Sequence, residues 1–68
     1  MTASDKLNAK IAAMSTQQLL DASLMLTLAT TPEQIIVCNR VERELERRIT
    51  EAEFLAHMEA CEALLDAA

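Results

Sequence analysis

Residues 30–54 read TTPEQIIVCNRVERELERRITEAEF, and this segment decides the fold because it contains two helix-start signals. Both are capping boxes, in which a Ser or Thr oxygen accepts from the backbone while a Glu or Gln three residues later reaches back. They lie at residues 31–34 (TPEQ) and 50–53 (TEAE). Pro32 strengthens the first signal, because proline suits the first helical position. The segment therefore predicts one helix over residues 32–48 and another that begins at residue 51 and reaches residue 66.

The two predicted helices carry matching apolar seams with spacings of three and four residues. The seams are Cys38, Val41 and Leu45 on the first helix, and Phe54, Met58, Cys61 and Leu65 on the second. Such spacing is typical of helices that pack side by side. Because only residues 49–50 separate the helices, we expect an antiparallel helical hairpin. A continuous helix through residues 49–50 is an alternative, since no glycine or proline stops it there.

The N-terminal half predicts two further helices. A short one covers residues 5–14, and a third capping box at residues 15–18 (STQQ) begins another over residues 16–29. The helix over residues 16–29 is apolar around most of its circumference. Its continuous polar strip consists only of Ser23, Thr27 and the following Thr30. A helix this apolar must be covered on more than one side, by a bundle or by a second subunit.

The composition indicates a single all-α domain that associates with itself. The chain has 68 residues, 51% of them apolar, and no glycine, which β-turns use at least cost. A core of this size rarely supplies more than roughly 3–5 kcal/mol, so the excess apolar surface predicts a homodimer. We expect a dimeric helical bundle built from a short N-terminal helix, an apolar helix and the C-terminal hairpin. The expected dimer interface consists of Leu20, Leu24, Leu28, Val41 and Leu45.

The charge balance argues for a protein partner. The formal net charge is −5 and the sequence pI is near 4.6, so the chain as a whole repels the phosphate backbone of nucleic acids. An acidic chain suits a basic protein instead, through electrostatic steering. The longest apolar run, residues 24–29 (LMLTLA), is far shorter than the ~20 residues that cross a bilayer. No signal-peptide pattern is visible, so we expect a cytoplasmic protein without a membrane partner.

One face of the predicted helix over residues 32–48 combines an isoleucine with a strip of arginines. Ile36, Arg40, Arg43 and Arg47 follow one another at spacings of four, three and four. The arginines alone fit ion pairs with neighbouring glutamates, a protein-binding face or DNA phosphates. An exposed Ile36 within a charged rim favours protein recognition, because a DNA-reading face would carry Asn, Gln or Ser there. A single exposed isoleucine without a role, or one covered by the first helix, is the alternative.

The last predicted helix carries an acidic outer face. Glu59, Glu62 and Asp66 are spaced along it, together with Glu51 at its start. Regularly spaced carboxylates can imitate phosphates towards a basic DNA-binding domain. A face that is simply solvated is the alternative. Together with the arginine strip, the residues Glu59, Glu62 and Asp66 are the candidate partner-binding side chains on this helix.

The residues that could support metal binding or catalysis are few. His57 and Cys61 share a neighbourhood on one helix, and Cys38 could complete three zinc ligands, but structural zinc sites normally use four. The two cysteines are interpreted as structural thiols, with a disulfide or metal ligation as alternatives. His57 is interpreted as a residue at the border of the apolar stripe. One histidine and no glycine-rich loop predict a protein that is not an enzyme and has no cofactor.

Residues 49–54 (ITEAEF) resemble the turn of the SHOCT domains, short C-terminal helix–turn–helix modules that serve oligomerisation. In that family an Ile-Thr-x-x-Glu-Phe/Tyr sequence joins two helices. The chain departs from the pattern before the isoleucine, where Arg48 replaces the usual glycine. The resemblance covers about half of the chain and implies a helical association module.

Residues 1–20 (MTASDKLNAKIAAMSTQQLL), followed by a short charged hairpin, resemble the small phage proteins that disable host proteins, in particular those directed against quorum sensing. This resemblance implies a dimeric inhibitor in the host cytoplasm. It further implies two targets, the DNA-binding part of a LuxR-type transcription regulator and the pilus-assembly ATPase. A small helix-turn-helix DNA-binding regulator and a purely structural oligomerisation module are the alternatives from other functional classes.

Overall fold

The structure, a computed structural model, describes residues 2–67 and shows four α-helices over that range, with no strand. The helices are α1 (Ala3–Ala13), α2 (Thr16–Leu26), α3 (Pro32–Arg48) and α4 (Glu51–Ala67). The predicted all-α fold is confirmed. None of these helices combines the length and the apolar character that crossing a bilayer would demand, as far as residues 2–67 are concerned.

The helices begin where their capping boxes predict. At the start of α2, the Ser15 N–H donates to Gln18 Oε1 at 2.8 Å while Gln18 N–H donates to Ser15 Oγ at 3.1 Å. Thr50 and Glu53 form the same pair of bonds before α4, at 3.0 and 3.1 Å. The box before α3 is also present, although the hydrogen bond from Thr31 N–H to the Gln34 side chain is the longest of the set at 3.5 Å.

A fourth capping box begins α1 two residues earlier than predicted. Thr2 Oγ1 accepts from Asp5 N–H at 3.1 Å, and Asp5 Oδ2 accepts from Thr2 N–H at 3.2 Å. The prediction began at Asp5 because the usual box carries Glu or Gln at its fourth position. Here a shorter aspartate performs the same role, and its negative charge also suits the positive end of the helix dipole.

The end of α2 differs from the sequence prediction, whereas the end of α3 agrees with it. Helix α2 ends at Leu26, where the chain tightens into three-residue turns that join Thr27 N–H to Leu24 O and Ala29 N–H to Leu26 O. Helix α3 ends as predicted at Arg48, and Ile49 adopts an extended backbone with φ −117° and ψ 164°. The alternative of one continuous helix through residues 49–50 is therefore wrong.

The core lies where α2 and α1 pack against α3. Its buried apolar side chains are Ile11, Leu19, Val41 and Leu45, with the most extensive helix contact between α2 and α3. Leu19 and Leu45 are completely covered, and Val41 is 1% exposed. Val41 and Leu45 were placed in the expected dimer interface, but helices of the same chain already cover them. Removing them from water stabilises the single chain and leaves no surface of these two residues for a second copy.

Ser23 lies inside this core, in contrast to the predicted polar strip. It is completely buried on the face of α2 that also carries Leu19, one helical turn away. Its Oγ has no hydrogen-bond partner in the described part of the chain. A small side chain here leaves room for the neighbouring helices, at the cost of burying a hydroxyl.

Helices α3 and α4 form a hairpin that is closed near its turn and open at its far end. Phe54 packs against the core and Cys61 is buried, at 7% exposure. Farther from the turn, Leu65 is 53% exposed, and Ile35 at the opposite end of α3 is 47% exposed. The predicted seam is thus incomplete, because Leu65 is left half uncovered, as is Ile35 on the facing helix.

Candidate functional site

The open end of the hairpin forms a groove between α3, α4 and the C-terminal end of α2. Its apolar lining includes Leu26, Ile35, Cys38, Met58, Cys61 and Leu65. Among the described residues, Glu42 of α3 and Glu62 of α4 are the carboxylates that line it, with no lysine or arginine beside them. We call this site the acidic-rimmed groove. Its volume of about 290 Å³ lies just below the roughly 300–1,000 Å³ typical of small-molecule pockets.

The Cys38 thiol shows how apolar the groove is. Cys38 Sγ donates to Glu42 Oε1 at 3.5 Å. Burial, followed by the negative charge of Glu42, raises the pKa of Cys38 to about 11. Both causes disfavour the thiolate, so Cys38 is a neutral thiol at physiological pH. Positive charge that could offset Glu42 is missing from the groove lining.

Cys61 and His57 lie next to each other on the wall of α4. Both cysteines are free, and Cys61 Sγ is 3.8 Å from His57 Nε2. His57 is half-buried, which matches its predicted place at the border of the apolar stripe. Across residues 2–67, no three or more His, Cys, Asp or Glu side chains are grouped as a metal site would require.

Helix α1 contacts the arginine strip of α3 through Arg40. The strip consists of Ile36, Arg40, Arg43 and Arg47. Arg40 is half-buried and donates to Asn8 Oδ1 at 2.8 Å and to the Ser4 carbonyl at 3.5 Å. Ile36 remains 50% exposed, so α1 covers Arg40 rather than the isoleucine. Arg43 and Arg47 are exposed beside it. The strip therefore presents an apolar side chain next to two accessible guanidinium groups.

Glu44 compensates part of the positive charge near the strip. Arg47 Nη1 lies 2.9 Å from Glu44 Oε1, and Arg48 Nε lies 2.9 Å from Glu44 Oε2. The hydrogen bond from Arg48 is the main reason that the pKa of Glu44 is lowered. Arg43 has no ion pair and no side-chain hydrogen bond within residues 2–67. The expectation that glutamates pair with the strip holds for Arg47 alone among its three arginines.

The acidic face of α4 is accessible, but its members belong to different surfaces. Glu59, Glu62 and Asp66 are all exposed. Glu62 also lines the acidic-rimmed groove, whereas Glu59 and Asp66 do not. The carboxylate of Glu62 is therefore placed directly beside an apolar surface.

The apolar residues predicted for the dimer interface differ in their exposure. Leu20 and Leu24 are half-buried on α2, and Leu28 is 51% exposed after it. Met25, which the sequence prediction left out of the interface, is 82% exposed and is the most exposed large apolar side chain in the described range. The groove residues Ile35, Glu42 and Leu65 were likewise missed as a site. The sequence spacing identifies apolar seam residues. It does not show where the hairpin opens, because that depends on how the helices pack.

Comparison with known proteins gives no relative: no family model, no curated protein and no solved structure matches the chain. Two surfaces of the four helices combine exposed apolar side chains with charge. The charge is positive on the arginine strip and negative on the acidic-rimmed groove.

Proposed function

We propose that this chain is a non-catalytic protein that binds another protein and inhibits it. The observation that carries the proposal is the amount of exposed apolar surface. Within residues 2–67, seven large apolar side chains are between 39% and 82% exposed, whereas five apolar residues are buried. The exposed set is Met25, Leu28, Ile35, Ile36, Leu55, Leu64 and Leu65. Such side chains mark an interaction site where they are contiguous, as Ile35 and Leu65 are in the lining of the groove.

The arginine strip supports binding of protein rather than DNA. Ile36 is half exposed beside Arg43 and Arg47, which suits an apolar anchor within a charged rim. Arg47 is paired with Glu44, and Arg40 is bound to α1. Few cations of the strip are free to replace the counterions of a phosphate backbone, and the net charge of −5 opposes such binding.

The proposed targets come from the resemblance to phage inhibitors of host proteins. They are the DNA-binding part of a LuxR-type quorum-sensing regulator and the pilus-assembly ATPase, within the host cytoplasm. A DNA-binding domain carries a basic surface, and the exposed carboxylates Glu59, Glu62 and Asp66 suit such a surface. Binding there would prevent the regulator from reaching DNA, without any catalytic step.

The test is affinity capture of the tagged chain from nuclease-treated bacterial lysate, followed by direct binding to the purified regulator or ATPase. Ile36→Asp should weaken capture by about tenfold or more, as expected for an anchor residue. Leu55→Asp is the matched control, because Leu55 is 55% exposed but lies away from the strip. Equal binding by Ile36→Asp and the unmodified chain would contradict the role of the strip.

Two other results would favour the alternatives. Recovery of DNA with affinity that falls steeply with salt, and that disappears when Arg40, Arg43 and Arg47 are neutralised, would indicate a DNA-binding regulator. A stable oligomer that captures nothing else would indicate a structural oligomerisation module.

We also propose a homodimer, through the apolar surface of α2 and the segment after it. Leu20, Leu24 and Leu28 remain available there, next to the exposed Met25. Light scattering at micromolar concentration should give the mass of two chains, and Leu28→Asp should shift it towards one. A monomer at that concentration would contradict the dimer.

A further inference from the structure

We propose that the acidic-rimmed groove binds a basic amphipathic helix of the partner protein, an inference that rests on the protein-binding function proposed above. The groove is formed at the open end of the hairpin, between α3, α4 and the end of α2. The partner helix would place apolar side chains on the groove floor and lysine or arginine side chains against its rim.

The floor of the groove offers apolar area that the chain itself does not cover. Ile35 and Leu65 are 47% and 53% exposed on opposite walls, and the half-buried Met58 lines the same groove from α4. Covering such side chains is the main favourable contribution to association. The groove is too small to enclose a typical ligand, but it can receive anchor side chains from a larger surface.

Charge complementarity decides the chemistry of the partner. Glu42 and Glu62 line the two walls contributed by α3 and α4, and the lining contains no lysine or arginine. The cations of the chain lie elsewhere, on α1 and on the side of α3 that faces α1. The high pKa of Cys38, raised by burial and by Glu42, is consistent with a negative potential at an apolar surface. A cationic partner would be stabilised here, and a phosphate backbone would be repelled.

The groove of a second copy does not suit this groove. A dimer with twofold symmetry can place the same patch of both copies against itself. In such a dimer Glu42 and Glu62 would face the carboxylates of the other copy, without a cation in the lining to compensate them. The occupant we propose is therefore the helix of a different chain, and the sedimentation test below distinguishes it from a second copy.

The combination of an apolar floor and a charged rim matches a helix as the bound element. Helix-in-groove recognition uses anchors at positions i, i+3 or i+4, and i+7, flanked by charged residues that match the rim. An amphipathic helix rich in lysine or arginine presents this combination on one face.

The experiment uses the full chain and a fluorescein-labelled peptide of leucine and lysine in that helical pattern. A length of about 14 residues is chosen because shorter isolated helices are marginal in water. A scrambled peptide of the same composition, without an apolar face, is the control ligand. Anisotropy titration at physiological salt should show binding of the patterned peptide that is at least about tenfold tighter than that of the scrambled one.

Two matched pairs of variants locate the binding. Glu62→Lys should weaken binding by about tenfold or more, whereas Glu59→Lys, with the same charge change outside the groove, should change it by less than about threefold. Leu65→Ser and Leu55→Ser each remove a leucine side chain of α4, and the two leucines are similarly exposed. Only Leu65→Ser should weaken binding, by about as much as Glu62→Lys. All four positions are exposed, and circular dichroism verifies that each variant is folded.

Equal loss in Glu62→Lys and Glu59→Lys, or equal binding of both peptides, would overturn the proposal because it would show unspecific charge attraction. A shift in sedimentation towards a monomer upon Leu65→Ser would also overturn it, since a second copy would then be the occupant. Capture that depends on Ile36, combined with no peptide binding, would reject the groove and keep the inhibitor function. Peptide binding at the groove without capture of any target would support the groove and reject the inhibitor function.

Discussion

Arg48, the last residue of α3, donates a hydrogen bond of 2.6 Å from Nη1 to the backbone carbonyl of Met14, directly after α1. Its Nη2 also donates to the Ala12 carbonyl at 2.9 Å, and Glu44 Oε2 accepts from its Nε at 2.9 Å. The last carbonyls of a helix lack intrahelical partners, and a cation there is favourable because of the helix dipole. Arg48 thus connects the C-terminal end of α1 to α3.

Arg48→Ala should lower the free energy of unfolding by about 2 kcal/mol, because several hydrogen bonds to a charged group are lost together. Urea unfolding followed by circular dichroism measures this difference. Arg43→Ala is the control, since Arg43 is exposed and should stay within about 0.5 kcal/mol of the unmodified chain. Equal stability of the two variants would contradict the structural role of Arg48.

The same contact gives position 48 a role that glycine could not fill. A glycine at position 48 would have no side chain to reach the carbonyls of Ala12 and Met14. The backbone before Ile49 has no need for glycine, because no residue in the described range has a positive φ. Arg48 therefore supplies a tertiary contact that the turn motif alone would not predict.

The starts of α2, α3 and α4 could be predicted from the sequence because capping boxes are local signals. Ser15, Thr31 and Thr50 each form the bonds expected from their spacing to Gln or Glu. The end of α2 could not be placed in this way. Thr27 Oγ1 donates to the Ser23 carbonyl at 2.9 Å as the helix tightens, and no glycine or proline marks that point in the sequence. Helix ends with ordinary residues depend on packing, which spacing does not show.

Ser23→Ala should raise the free energy of unfolding by about 1 kcal/mol or more. The buried Oγ has no partner in the described range, so removing it relieves an unsatisfied polar group. Alanine is also the better helix former by a few tenths of a kcal/mol, and the exposed Ser4→Ala in α1 measures that contribution separately. Ser23→Leu should instead destabilise the chain by about 1–3 kcal/mol through overpacking.

Thermal and urea unfolding of the three variants test this prediction. A loss of stability in Ser23→Ala would show that the hydroxyl does have a hydrogen-bond partner in solution. Equal gains in Ser23→Ala and Ser4→Ala would assign the effect to helix propensity alone.

The candidate site could be predicted only in part, for a related physical reason. Helical spacing places Ile36, Arg43 and Arg47 on one outer face of α3, because such a face depends on a single helix. The acidic-rimmed groove requires three helices, and it exists because Leu65 and Ile35 are not covered where the hairpin opens. The burial of Val41 and Leu45 by α1 and α2 also depends on how the helices pack. Sequence spacing identifies these residues as apolar but does not say which surface covers them.

Stability should decrease as the pH falls below about 4.5, the ordinary pKa of glutamate, because two carboxyl groups have lowered pKa values in the folded chain. The pKa of Glu53 is lowered chiefly by its hydrogen bond from the Thr50 backbone, and that of Glu44 chiefly by Arg48. A lowered pKa means that the folded chain prefers the ionised form. The stabilisation is therefore fully present above the unfolded-state pKa and is lost as the pH falls through the folded-state pKa.

Unfolding temperatures measured between pH 3 and 7 test this dependence. Glu53→Gln should reduce the loss in acid, because the amide oxygen can still accept from Thr50 N–H but does not titrate. Gln18 already performs this role before α2, with its Oε1 2.8 Å from Ser15 N. An identical pH dependence in Glu53→Gln and the unmodified chain would contradict the contribution of this capping box.

Cys38 should react slowly with iodoacetamide in the folded chain and much faster after unfolding. With a pKa of about 11, roughly one thiol in a thousand is ionised at pH 8, and the thiolate is the reactive form. Mass spectrometry of the peptide that contains Cys38 separates its reaction from that of Cys61. Glu42→Gln should lower the pKa of Cys38 and accelerate the reaction, because the second-largest cause of the shift is removed. The rate should stay below that of the unfolded chain, since burial is the largest cause and persists.

Glu59→Gln is the matched control for Glu42→Gln. It also removes one negative charge, but from a position on α4 outside the groove. It should leave the rate at Cys38 unchanged. If Cys38 reacted equally fast in the folded and unfolded chain, the groove would be too well hydrated to exclude a thiolate, and its apolar floor could not anchor a partner helix. If binding of the leucine–lysine peptide protected Cys38 from iodoacetamide in the Glu42→Gln variant, the reaction would report directly on occupancy of the groove.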